Sequence, residues 1–332
     1  MNIGIVGLGY WGPNLVRNFS LSDKIDKIFC YDQNKDRIKK VQKVFPNIWS
    51  VPDYESLLSS DLETVVIATP VHSHYLLAKE ALKHHKHIWV EKPFTLNSIQ
   101  AKKLIELAEK NEVNIFVDHT FIYTEAIQKI KSLIINNEIG DINYFDSVRI
   151  NLGLFQHDIN VIWDLAPHDI SIMLYLLSKY KVEAISANGV ANYSKQENIA
   201  QLCIYFSENC FGNINVNWTS PVKIRKILIG GSKKMLLFDD LENFEKIKVY
   251  DSGIEINSSE SIHEALVQYR IGDMYSPKLK QTEALQSAVQ EFVSSINEKR
   301  KPLTSGENGL KVVEILEATQ LSLNSKGKKV LV

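Results

Sequence analysis

Three glycines near the start of the chain constrain its fold more than any other feature. They stand in Gly7-Leu8-Gly9-Tyr10-Trp11-Gly12-Pro13, directly after the apolar run at residues 3–6, and a helical spacing (Leu15, Val16, Phe19) follows at once. A strand that turns through glycines into a helix has a specific use. The first glycine permits the tight turn, the second lets backbone approach a pyrophosphate, and the third lets helix pack on strand. The diphosphate then sits at the positive end of the helix dipole. Pro13 suits the start of the helix, where a missing N–H costs nothing. Tyr10 and Trp11 form an aromatic pair in the loop, suited to packing against the bound dinucleotide or against the loop's own neighbours.

An acid is expected about 20 positions further on, and Asp32 closes the second apolar run. A carboxylate there accepts from the ribose hydroxyls and repels a 2′-phosphate, which favours NAD over NADP. Lys35 and Arg37 follow closely and would act in the opposite sense. Short apolar runs at 3–6, 28–31, 64–68, 88–90 and 115–117 alternate with amphipathic stretches such as Ala101, Leu104, Ile105 and Ala108. That alternation predicts an α/β fold opening with a doubly wound parallel (Rossmann) sheet.

The pattern changes near Asp118. Ile127, Ile130 and Ile134 mark a helix; Leu202, Ile204 and Phe206, then Ile214, Val216 and Trp218, alternate with period two. Residues 227–238, broken at Gly230-Gly231-Ser232, read as a hairpin, and helical spacing returns at 281–296 and 309–324. A second, α+β domain with a mainly antiparallel open sheet is expected. The division is a dinucleotide-binding domain over 1–118 and a substrate-binding and oligomerisation domain over 119–332. Two domains also suit 332 residues at roughly 150 per domain.

Charge bounds the partners. With 38 Lys+Arg against 39 Asp+Glu, the net charge is -1, which disfavours nucleic acid and anionic membranes but not one confined anionic ligand. Cys30, Cys203 and Cys210 form no C-x-x-C pair and are odd in number, so neither a disulfide framework nor a cysteine zinc site is expected. His84, His85 and His87 alternate with Lys83 and Lys86, as on a solvated helix end, and no metal is expected. The N-terminus lacks a signal peptide's cationic start, and no apolar run approaches the roughly 20 residues that cross a bilayer. A cytoplasmic protein is expected.

Two further segments fall at carboxyl ends of expected strands, where a doubly wound sheet lines its ligand crevice: Thr69-Pro70-Val71-His72-Ser73-His74 and Glu91-Lys92-Pro93. Thr69, Pro70, His72, His74, Glu91 and Lys92 should therefore lie beside the cofactor. Further on, Trp163-Asp164-Leu165-Ala166-Pro167-His168 places an acid and a histidine four apart, on one face of a helix. Pro167 would put them in the first turn, where Asp164 alone also suits the N-cap.

Together, over the whole chain, the glycine motif, Thr69-Pro70 with His72 and His74, Glu91-Lys92-Pro93, and Asp164 with His168 resemble the Gfo/Idh/MocA oxidoreductases. The resemblance implies NAD-dependent hydride transfer, with Lys92 touching both nicotinamide and substrate and with Asp164 and His168 as its catalytic partners. Alcohol oxidation also needs a base titrating near the working pH, and an imidazole such as His168 does so. Lys92 is the other candidate; Asp164 would orient one or both. His119-Thr120-Phe121-Ile122-Tyr123 and Arg149-Ile150-Asn151-Leu152-Gly153 resemble members that act at C3 of nucleotide-linked sugars in surface-polysaccharide or lipid A pathways. The implied substrate is a small nucleotide sugar, UDP-N-acetylglucosamine, with its uronate, an NADPH-linked 3-ketoreduction, or a free sugar or inositol as alternatives. Tyr123, Arg149 and Asn151 are substrate candidates; Lys223 and Arg225 suit a diphosphate or a solvated strand edge. A non-catalytic NAD-binding scaffold or redox sensor would lack Lys92 or His168, and both are present. A homodimer or homotetramer is expected from the apolar faces of the second sheet.

Overall fold

The first apolar run forms strand β1 (Asn2–Val6), buried at four of its five positions, as a parallel sheet covered on both faces requires. In the computed structural model, which describes residues 1–153, 159–193, 195–255, 268–270 and 272–332, strand and helix then alternate. The series runs α1 (Gly12–Ser20), β2 (Lys27–Tyr31), α2 (Lys35–Val44), β3 (Ile48–Ser50), α3 (Tyr54–Leu58), β4 (Thr64–Ile67), α4 (Val71–Lys83), β5 (His87–Val90), α5 (Ser98–Lys110) and β6 (Ile115–Val117). All six strands are parallel, in the order β3-β2-β1-β4-β5-β6. This is a Rossmann sheet, with its order reversing between β1 and β4. Strand β3 is too short to show a pattern and was not expected.

The second sheet follows α6 (Glu125–Ile135). Its region holds β7 (Ile142–Leu152), α7 (Val161–Leu176), β8 (Val182–Val190), β9 (Ile199–Phe206), β10 (Phe211–Asn217), β11 (Thr219–Gly231), β12 (Met235–Asp239) and β13 (Ile247–Tyr250). The short strands β14 (Gly253–Glu255), β15 (Gln268–Arg270), β16 (Met274–Tyr275) and β17 (Val330–Leu331) complete it, with helices α8 (Ala284–Asn297) and α9 (Gly306–Asn324). The large sheet has nine strands in the order β16-β13-β12-β11-β7-β10-β9-β8-β17. Only β7 with β10 is parallel among its described pairs. The expected hairpin is β11 with β12, paired from Lys226↔Asp239 to Gly230↔Met235. In β9, Ala200, Leu202, Ile204 and Phe206 are buried at every second position, the alternation of a sheet with unlike faces.

The two units are not consecutive blocks. One comprises Met1–Thr124 with Thr282–Glu317, the other Glu125–Gln281 with Ala318–Val332. A single division at 118 therefore needs correction: α8 and most of α9 belong to the first unit. The reason is packing. Phe292 of α8 lies edge-on to Trp89 at 5.5 Å and to Phe116 at 5.4 Å, and Trp89 stacks on Phe116 at 4.1 Å. Such pairs each contribute roughly 0.5–1.5 kcal/mol beyond their area burial. No helix among the described residues is long and apolar enough to cross a membrane.

Candidate active site

The glycine turn joins β1 to α1. Gly7 has φ +93°, and a Cβ there would lie 2.6 Å from the Ala68 carbonyl oxygen. A Cβ on Gly12 would run into the Gly7 carbonyl oxygen. Gly9 is different. A Cβ there would meet nothing nearer than Arg37 Nη1 at 3.9 Å, so protein packing does not demand glycine at this position. Close approach of a ligand does. The N-terminus of α1 carries no side-chain cap and no acid in its first turn, which leaves amides for an anion. These residues fit a dinucleotide's diphosphate.

Asp32, directly after β2, is 8% exposed and pins the loop. Its Oδ2 accepts from the Leu8 N–H at 2.7 Å and its Oδ1 from the Asn34 N–H at 2.7 Å. Arg37 Nη1 stands 3.6 Å from Oδ2. Tyr10 is 95% exposed, whereas the Trp11 indole N–H donates to Asp118 Oδ2 at 3.2 Å.

At the end of β4, Thr69 accepts from the Ser73 hydroxyl at 2.6 Å, Pro70 caps α4, and His72 is exposed. His74, expected to touch the cofactor, is instead a buried brace. Its Nε2 lies 2.8 Å from the Thr69 carbonyl oxygen and its Nδ1 3.0 Å from that of Pro93. One imidazole thus ties the Thr69-Pro70 turn to the Glu91-Lys92-Pro93 turn, whose Lys92–Pro93 peptide is cis.

The ends of β5 and β6 carry residues that the motifs did not single out. Pairing of Val90 with Val117 sets Glu91 beside Asp118. Asp118 is 1% exposed and accepts from the Thr120 hydroxyl at 2.5 Å as well as from Trp11. Burial, then the adjacent Asp118, raise the Glu91 carboxyl well above its ordinary range. His119 is 1% exposed with neither ring nitrogen hydrogen-bonded, and burial, aided by Lys92, pushes its pKa down to about 3. Its signal was its position directly after a strand end. Tyr123, a substrate candidate from sequence, is buried, with its hydroxyl 2.9 Å from Thr304 Oγ1.

In the second unit, α7 carries the acid and histidine. Its N-cap is Asn160, whose Oδ1 accepts from the Trp163 N–H at 3.2 Å. Asp164 is therefore not the cap, and Pro167 lies inside the helix rather than in its first turn. The helix buries ten of its sixteen residues. Asp164 and His168 fall among the positions left partly open, and the Trp218 indole N–H holds Asp164 Oδ2 at 3.1 Å. Gly153 makes room for that indole: a Cβ there would sit 2.5 Å from Trp218 Cδ1.

Arg149 is corrected by its surroundings. At 3% exposure its Nε donates to Asp169 Oδ2 at 2.6 Å and its Nη2 to Oδ1 at 3.2 Å. The Ser147 hydroxyl adds a bond to Asp169 at 2.8 Å. This buried cluster locks β7 to α7. Asn151, two residues beyond Arg149 on the strand, stays half-buried. Arg225 pairs with Asp240 at 3.3 Å.

Residues 1–119 match the family model described as an oxidoreductase family NAD-binding Rossmann fold, and residues 131–332 match its C-terminal alpha/beta domain. The chain belongs to the Gfo/Idh/MocA oxidoreductase family, and its first unit is an NAD-binding domain. A UDP-N-acetylglucosamine 3-dehydrogenase from Acidithiobacillus ferrooxidans is 23% identical over 317 residues, covering 94% of each chain. A solved structure of that enzyme matches with TM-score 0.83 at 22% identity, over 98% of both chains. A myo-inositol 2-dehydrogenase from Thermotoga maritima is 22% identical over 346 aligned residues, 98% of this chain and 97% of its own. An oxidoreductase from Agrobacterium radiobacter, solved with NAD+, L-tartaric acid and magnesium, matches with TM-score 0.84 at 18% identity, over 100% of this chain and 98% of that one.

Proposed function

We propose that this chain oxidises the C3 hydroxyl of UDP-N-acetylglucosamine to the 3-keto sugar. The observation that carries the reading is the half-open Asp164 and His168 pair on α7, held by Trp218, in a chain that also has the Glu91-Lys92-Pro93 turn. NAD supplies the hydride acceptor when bound. Gly7, Gly9, Gly12, Asp32, Thr69, Pro70 and His72, with Tyr10 and Trp11 against the loop, are proposed to hold it. Lys92 donates a hydrogen bond to the reacting oxygen, so that charge developing there is stabilised. The hydroxyl proton passes to His168 or Lys92, and Asp164 fixes the orientation of that base. Asn151 is proposed to touch the sugar. The likeness to the Acidithiobacillus enzyme over nearly the full length of both chains supports the substrate.

Purified protein with NAD and UDP-N-acetylglucosamine should yield reduced nicotinamide, read by absorbance, and a 3-keto product, read by mass. Turnover of myo-inositol instead would move the reading to a free polyol, which the Thermotoga relative also supports; UDP-N-acetylglucosaminuronate is the third arm. Lys92→Met and His168→Gln should each lower turnover at least 100-fold, and the variant that loses the acid limb of the pH profile identifies the base. The same reading has the enzyme working in the cytoplasm as a homodimer or homotetramer, which light scattering distinguishes.

A further inference from the structure

The ends of β5 and β6 hold two acids where one charge suffices. Val90 pairs with Val117, which sets Glu91 beside Asp118 at neighbouring strand ends, and two acids so placed in a buried site hold one proton between them more cheaply than two charges. Which of them carries it follows from their other partners. Both oxygens of Asp118 already accept, from the Trp11 indole and the Thr120 hydroxyl, as a carboxylate does. Glu91 Oε1 is buried with no hydrogen-bond partner. An ionised oxygen left so would be far costlier than the carbonyl oxygen of a carboxylic acid.

We infer that Glu91 and Asp118 share one proton, carried by Glu91, and that this bond positions the glycine loop and the Glu91-Lys92-Pro93 turn for NAD. The chain of contacts is short. Trp11, inside the glycine loop, reaches Asp118; Asp118 reaches Glu91; and Glu91 directly precedes Lys92. Adenosine ribose is expected at Asp32 on the β2 side, so β5 and β6 belong to the other mononucleotide half. The part-buried Trp11–Asp118 hydrogen bond therefore links the two halves of the cofactor site. The titratable groups facing the pair are Lys92 from the same turn, His119 next to Asp118 and close to Lys92, and Tyr123 from the turn Thr120–Tyr123. Both acids act as positioning residues. The inference rests on the NAD-binding domain and not on the identity of the substrate.

The test measures NAD affinity by calorimetry from pH 6 to 10 for the wild type, Glu91→Gln and Asp118→Asn. Glutamine supplies a permanent N–H to Asp118, so Glu91→Gln should bind NAD within 3-fold of wild type at pH 6 and show no dependence on this group. Wild-type affinity should weaken at least 5-fold relative to Glu91→Gln as pH rises and the pair becomes a dianion. Asp118→Asn removes the second charge and leaves Glu91 raised by burial alone, so the decline should move to lower pH than in the wild type. Equal pH dependence in wild type and Glu91→Gln, or a 10-fold loss of affinity in Glu91→Gln at pH 6, would overturn the inference. Unfolding without NAD separates its failure from that of the cofactor reading. Glu91 is raised in the folded chain, so its stabilisation is complete below its ordinary value of 4.5 and declines as pH rises above it. The wild type should lose stability relative to Glu91→Gln across that rise, and parallel curves would also overturn the shared proton.

Discussion

Gly9 and Gly12 stand three residues apart, yet their substitutions should fail in different ways. A Cβ on Gly12 meets backbone in the turn itself, so Gly12→Ala should lower the melting temperature and cost NAD binding with it. A Cβ on Gly9 meets open space, so Gly9→Ala should melt close to the wild type while NAD affinity falls at least 10-fold. A Gly9→Ala protein that binds NAD normally would remove the ligand-approach argument. Arg149 makes a second contrast. Arg149→Met leaves Asp169 buried with only the Ser147 hydroxyl, and urea unfolding should show a loss of about 3–5 kcal/mol, typical of one orphaned buried charge. Asp169→Asn in the same background should recover part of it. The glycine turn was legible because its spacing in sequence carries its geometry. The Arg149–Asp169 pair, the His74 brace and the Glu91–Asp118 bond were not, since each joins residues from separate elements.

Helix α7 shows how an element sets a site. Asn160 caps it through Oδ1 and also donates through Nδ2 to Glu197 Oε2 at 2.8 Å and Gln320 Oε1 at 2.9 Å. Asn160→Ala should therefore cost about 2 kcal/mol in unfolding free energy, about half of it from the cap. Asn160→Ser keeps a capping acceptor without facing Glu197 with a second carboxylate and should recover that half; a cap without energetic weight would leave the two variants equal. From sequence, Pro167 argued for a later start, because an interior proline removes a hydrogen bond. Tertiary packing overrode that preference: the helix buries ten of sixteen residues. Strand β3 was missed for the opposite reason. With three residues and only Ile48 buried, Ile-Trp-Ser presents no period to read. The strands β1, β2, β4, β5, β6, β9 and β10 and the β11–β12 hairpin followed their apolar spacing, whereas β8, β13, β16 and β17 were not expected.

Acid should weaken the whole molecule through His119. Its folded pKa of about 3 lies below the ordinary 6.5, so the unfolded chain binds the extra proton between those values and stability falls as pH falls through that window. Going from pH 7 to pH 5 should cost about 2 kcal/mol through this group. Denaturant unfolding of His119→Leu at both pH values checks it, and an undiminished acid loss in that variant would count against the assignment. The division of the chain was the least legible feature, because the helical spacing of 281–296 carries no mark of the sheet it covers. That division also bears on biosynthesis. Residues 1–124 leave the ribosome first, but their aromatic cluster closes only on Phe292. At roughly 5–20 residues per second Phe292 follows roughly 10–30 s later, after all but the last strand of the other unit's large sheet. The NAD-binding unit begins first and is completed near the end, so a nascent chain interrupted in between would expose an unsealed core.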